Sequence, residues 1–148
     1  MGIFSFLTPK LPIDIQQIEQ AILHLEQQTS AELRVVVERK TKNLPAIERA
    51  NQLFDELSMR ETAQRNAVLI YLSLKPRLIA VVGDEGIHQK VGDDFWQTVY
   101  GVMKKYCQQK EFTLAILNGI TQVEQQLAMY FPIQPDDKNE LANEVVIK

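Results

Sequence analysis

The sequence predicts an α/β fold, a single-domain sandwich with a central mixed β-sheet and helices on both faces. Three observations lead there. Asn66 to Ser73 and Leu78 to Val82 are runs of Val, Leu, Ile and Tyr with almost no polar alternation, the pattern of strands covered on both sides. The connection between them, Leu74-Lys75-Pro76-Arg77, is too short for a helical crossover and predicts an antiparallel hairpin. The flanking segments place apolar residues at three- and four-residue steps, the period of amphipathic helices. With 148 residues the chain is long enough to bury about two thirds of its unfolded surface without a staple.

Asp14 and Gln17 have capping-box spacing ahead of Ile15, Ile18, Ile22 and Leu25, which defines a first helix ending near Gln28. Glu32 to Arg39 alternates Leu33, Val35 and Val37 against Arg34, Val36 and Glu38. It reads as a strand nearer an edge than the two later ones. Pro45 suits the first turn of a second helix with Ile47, Ala50, Leu53, Phe54 and Leu57 facing inward. A strand, helix and strand in that order imply a right-handed crossover and parallel pairing. Asp93 is the expected N-cap of a long helix with the stripe Phe95, Val99, Val102, Met103 and Tyr106. A last helix from Phe112 carries Ala115, Ile116, Gly119, Ile120, Val123 and Leu127, and Gly119 there predicts a close approach by a neighbouring element. Val145-Val146-Ile147 is expected to add a short edge strand. The divisions are thus an N-terminal segment 1–13, a domain 14–132 and a tail 133–148.

Charge and cysteine usage exclude several function classes. There are 16 basic and 19 acidic residues spread along the chain, with net charge −3. That argues against nucleic acid, which calls for a clustered basic face. The single cysteine, Cys107, excludes an intramolecular disulfide and a multi-cysteine zinc site, and reads as a packing residue. Met1 to Leu7 has no positive n-region and is too short for a signal peptide or a membrane span. Phe6 stands where a myristoylation signal wants Ser or Thr. The expectation is a soluble, cytoplasmic protein with no membrane span, whose Ile3 to Leu7 segment either packs on the domain or a partner or stays partly ordered.

The candidate site is the turn after the hairpin. Asp84, Glu85, Asp93 and Asp94 fall within eleven residues, at the end of a buried strand where open α/β sheets place ligands. Calcium takes six to eight oxygens, and Asp84, Asp93 and Asp94, with Glu32 from the neighbouring strand and Glu85 alongside, can supply part of such a shell. Acids at a helix N-terminus also cap it and complement its dipole with no ligand present, so both readings stay open. Arg65 can pair with an acid of the turn. Asn66 either lends a carbonyl to a cation or closes a strand-entry turn. His24 reads as structural and His88 as a surface residue. Gly83, Gly86 and Gly92 form no phosphate-binding loop, and there is no catalytic triad. The leading reading is therefore a binding or accessory module rather than an enzyme, and the rival is a metal-dependent phosphomonoesterase with Asp84 and Asp93 as metal ligands.

Four segments carry a family resemblance: Ala31-Glu32-Leu33-Arg34-Val35-Val36-Val37, Ala50-Asn51-Gln52-Leu53-Phe54, Arg65-Asn66-Ala67-Val68-Leu69-Ile70 and Ile79-Ala80-Val81-Val82-Gly83-Asp84-Glu85-Gly86-Ile87. With Gly92-Asp93 and the closing pattern Phe112 to Phe131, the chain resembles the TPM domain family over roughly residues 14 to 132. The resemblance implies the α/β sandwich and, for function, calcium binding, an accessory role toward another protein or a membrane-protein complex, or acid phosphatase activity on phosphomonoesters. Secreted members carry a signal peptide, a membrane helix and a Gly-rich tail, none of which is seen here, so a stand-alone intracellular form is expected. Asp93 matches an acidic position of the family, whereas Asp84 stands where an aromatic or small residue is common and Ala67 where glycine is.

Overall fold

The computed structural model describes residues 11–148, so the expectation for Ile3 to Leu7 lies outside the described residues. The element order is α1 (Ile15–Glu26), β1 (Leu33–Glu38), α2 (Ala46–Glu56), β2 (Val68–Leu74), β3 (Arg77–Gly83), α3 (Glu85–Gln108), α4 (Phe112–Tyr130) and β4 (Val146–Ile147). The sheet order is β3-β2-β1-β4. β1 pairs parallel with both β2 and β4, and β2 pairs antiparallel with β3. Among the described residues no helix is long and apolar enough to cross a membrane.

Strand periodicity divides the core between the two faces of the sheet. Leu33, Val35, Val37, Val68, Ile70, Leu72, Ile79 and Val81 pack under α1, α3 and α4. Val36, Leu69, Tyr71 and Ala80 pack under α2, against Ala50, Leu53 and Phe54. Both hairpin strands are therefore covered on both sides, as their lack of polar alternation predicts. Asp14 caps α1 by accepting from Gln17 N at 3.0 Å. Gly119 lets α4 lie against α3, because a Cβ there would collide with Met103 Sδ.

The α2 face also buries charge. Glu38 and Arg49 are 3% and 4% exposed. Arg49 grips the Glu38 carboxylate with Nε at 3.1 Å and Nη2 at 2.8 Å, and Tyr71 Oη donates to it at 2.6 Å. Burial pushes the Glu38 carboxyl up, but hydrogen bonds from Arg49 and Tyr71 and the charges of Arg49 and Lys42 outweigh it and hold the group below the usual carboxylate range. Burial, with the Glu38 hydrogen bond, pushes the Tyr71 hydroxyl up to about 12.

Three local expectations are corrected. β1 is interior, because the two-residue β4 pairs on its outer side, and the edges of the sheet are β3 and β4. The long helix starts at Glu85, with Asp84 as its N-cap, and is interrupted at Gly92 (φ 77°, ψ 176°). Asp93 thus follows a glycine hinge inside the helix and is not its cap, since the backbone break an N-cap requires falls one residue earlier. Ile47 is 50% exposed, because α2 turns Arg49, Ala50, Leu53 and Phe54 to the sheet.

Candidate functional site

Parallel and antiparallel register bring Glu32, Ala67 and Asp84 into one row at the end of the sheet. Val68 N donates to Glu32 O at 2.8 Å, and Asp84 N donates to Ala67 O at 2.9 Å. Glu32 and Asp84 are thereby held on either side of β2, roughly 10 Å apart at two interstrand spacings.

Asp84 is 1% exposed, and both its oxygens are engaged. Arg65 clasps it in bidentate fashion, Nε to Oδ2 at 2.8 Å and Nη2 to Oδ1 at 3.0 Å. Glu85 N donates to Oδ1 at 2.7 Å, and Arg60 Nη1 approaches at 3.5 Å. Arg65 has φ 53°, and its carbonyl accepts from Gly86 N at 2.7 Å. A side chain at Gly86 would strike the carbonyls of Gln64 and Arg65. The pairing of Arg65 with an acid of the turn is as expected, and it makes the turn a charge-neutral clasp closing β3 onto α3.

Asp93 and Asp94 lie apart from this clasp, on exposed positions after Gly92. Asp93 Oδ1 is 3.5 Å from His88 Nε2, while Trp96 Nε1 donates to His88 Nδ1 at 3.0 Å. His88 therefore bridges the glycine hinge. His24 pairs with Glu124 at 2.9 Å. Asn66 is 1% exposed, and neither atom of its side-chain amide has a partner among the described residues, so no Asx turn forms. Among the described residues, no three of His, Cys, Asp or Glu gather in a way that could hold a metal ion.

A strong electrostatic perturbation lies away from the turn, on Glu26 where it faces Glu32. Glu32 is 2% exposed. Its Oε1 accepts from Glu140 N at 2.7 Å, and its buried Oε2 has no partner among the described residues. The Glu26 carboxyl from the last turn of α1 faces it. Burial and the neighbouring Glu32 charge push Glu26 up to about 8, against a smaller opposing effect of Arg34. Burial also raises Glu32, although the N–H groups of Glu140 and Leu141 and the Glu26 hydrogen bond oppose it. Desolvation and the facing carboxyl thus bias both groups toward their protonated forms, Glu26 most strongly.

The tail folds over this pair. With its amide nitrogen turned inward, Asn143 donates to both Glu26 oxygens at 2.6 and 2.8 Å. Val145 N donates to Glu19 at 2.9 Å. A cavity of about 70 Å³ beside the pair is lined by Glu26, Ser30, Glu32, Asp137 and Asn139 among others. Glu26 was missed by sequence reasoning, as was the tail's role. The signal available was Glu26 six residues before Glu32, across the Thr29-Ser30 break that turns α1 back onto β1.

Comparison with known proteins fits this geometry. The model of the TPM domain matches residues 5–126. The NMR structure of the BA42 protein from the psychrophilic bacterium Bizionia argentinensis superposes with a TM-score of 0.86 at 32% identity, covering 96% of this chain and 99% of that one. The N-terminal domain of a protein from P. gingivalis shares the fold, with a TM-score of 0.65 at 14% identity over 80% of this chain and 78% of that one. No curated protein matches. The family match spans most of the chain, and the BA42 likeness covers nearly all of it; the chain belongs to the TPM domain family.

Proposed function

We propose that this TPM domain is a divalent-cation-binding accessory module in which calcium, or magnesium in its place, binds between Glu26 and Glu32 and displaces the proton that burial favours on Glu26. The observation that carries the reading is the buried, unpartnered Oε2 of Glu32 facing a second carboxyl. A buried carboxylate without a partner is costly, and a cation satisfies both groups at once. Of the expected ligand set Glu32 is retained, whereas the oxygens of Asp84 already serve Arg65 and Glu85. Asp137 and Asn139 line the same cavity, although the acids there do not by themselves form a metal-holding cluster among the described residues. With so few carboxylates, affinity is modest and water completes the six to eight oxygens.

Binding is favoured over hydrolysis by size. A cavity of about 70 Å³ holds an ion with about two waters, at roughly 30 Å³ per water, and leaves no room for a phosphomonoester beside it. The test is a calcium and magnesium titration followed by backbone amide shifts. Shifts should centre on residues 26–32 and 137–143, with about one proton released per ion below pH 8. Shifts confined to residues 83–96, or unchanged in Glu32→Gln, would place any cation elsewhere, and no shifts at all would remove the cation reading.

A further inference from the structure

The sheet edge opposite β4 is formed by β3 alone. Backbone groups alternate along a strand. Because Val68 bonds toward β1 and Ala67 toward Asp84, Leu69, Tyr71 and Ser73 face β3 and meet Val82, Ala80 and Leu78. The N–H and C=O groups of Ile79 and Val81 are therefore directed away from the sheet. No other backbone group among the described residues pairs with them.

A groove of about 640 Å³ runs along this edge, with Ala46 and Ile47 of α2 on one wall and Trp96, Tyr100 and Lys104 of α3 on the other. Ile47 and Tyr100 are 50% and 37% exposed on those walls, while Ile79, Ala80 and Val81 lie recessed at under a tenth. From Leu78 to Val82 the edge carries no proline, glycine or charge, the devices that protect exposed edges. A second copy of this chain would have to bring an equally recessed strand past its own walls, which collide first. A single extended segment of about five residues, roughly 16 Å at 3.3 Å per residue, meets no such obstacle.

Charge narrows the occupant. Among the described residues, the only charged side chains lining the groove are Arg77 and Lys104. Arg77 Nη1 is held to Gln108 O at 3.0 Å, and Lys104 Nζ lies 5.8 Å from the centre of the Tyr100 ring. We propose that this groove binds an extended, carboxylate-bearing segment of a partner protein, which adds a strand to β3 through Ile79 and Val81 and pairs with Arg77 and Lys104.

The probes are blocked octapeptides alternating valine with glutamate, and their valine-lysine counterparts. Trp96 is the single tryptophan and reports occupancy by fluorescence, while amide exchange reports the strand. The valine-glutamate peptide should shift Trp96 emission and slow exchange at Ile79 and Val81 about tenfold, with the lysine peptide at least about tenfold weaker. Arg77→Glu/Lys104→Glu should invert that preference. Equal binding of both peptides, or unprotected Ile79 and Val81 amides at millimolar peptide, overturns the proposal. Protection already present in the free protein also overturns it: if lost on dilution the occupant is a second copy, and if lost on deleting residues 1–10 it is the chain's own N-terminal segment.

Discussion

Replacing Glu32 with glutamine should stabilise this domain increasingly as the pH rises, although the side chain is buried. Glutamine preserves the shape and keeps an oxygen for the Glu140 N–H while removing one of two facing carboxylates. The Glu26 pKa is raised from 4.5 to about 8, so the native state holds a proton that the unfolded chain has released at neutral pH. That contribution is fully present below pH 4.5 and is lost as pH climbs through about 8. One proton gives a slope of at most about 1.4 kcal/mol per pH unit, hence at most about 2.7 kcal/mol between pH 5 and 7. Glu26 is partly solvated, and halving the figure for screening leaves about 1.4 kcal/mol. At about 2–4 °C per kcal/mol for a chain of this size, the wild type should lose about 3–5 °C in Tm over that range. Thermal unfolding of wild type and Glu32→Gln at several pH values between 5 and 8 measures this. The advantage of the variant should grow with pH, since it lacks the Glu32 charge that helps raise Glu26. A difference that is constant with pH, or that shrinks toward pH 8, would refute the reasoning that the Glu32 charge helps hold a proton on Glu26.

Arg49→Met should cost about 3–5 kcal/mol by stranding the buried Glu38 carboxylate, and Glu38→Gln/Arg49→Met should recover much of it; urea unfolding checks both, and a loss under about 1 kcal/mol would contradict the burial of the pair. Gly92→Ala should cost about 1–3 kcal/mol through its backbone conformation alone, because a Cβ there meets nothing within 4 Å. Its loss should appear in thermal unfolding without any change in the core methyl spectra of β2. Asp84→Ala removes the α3 cap and the partner of Arg65, with an expected loss of about 2 kcal/mol and faster amide exchange at Glu85 and Gly86.

Pattern alone determined the α/β class, the hairpin and the amphipathic helices, because burial on one face or both is written in the spacing of apolar residues. Val68, Ile70, Ile79 and Val81 have no polar neighbours to turn outward, and they are buried. The Gly119 contact was legible because only a close neighbour justifies glycine in a helical stripe. The pairing of Arg65 with an acid of the turn was legible, but the clustering of Asp84 with Asp93 and Asp94 was not, because Asp93 and Asp94 lie on exposed positions beyond the break at Gly92. Only the tertiary structure decided what the carboxylates do. Asp84 is neutralised by an arginine nineteen residues earlier in the chain, whereas Glu26 and Glu32 face each other because α1 packs back on β1 beneath a tail more than a hundred residues away. Desolvation and the pairing of charges depend on distances through space, which spacing along the chain does not encode. The same reason leaves the open edge of β3 invisible in sequence: which strand lies outermost is set by the order of pairing, and here β3 pairs on one side only while the two-residue β4 covers part of the outer side of β1.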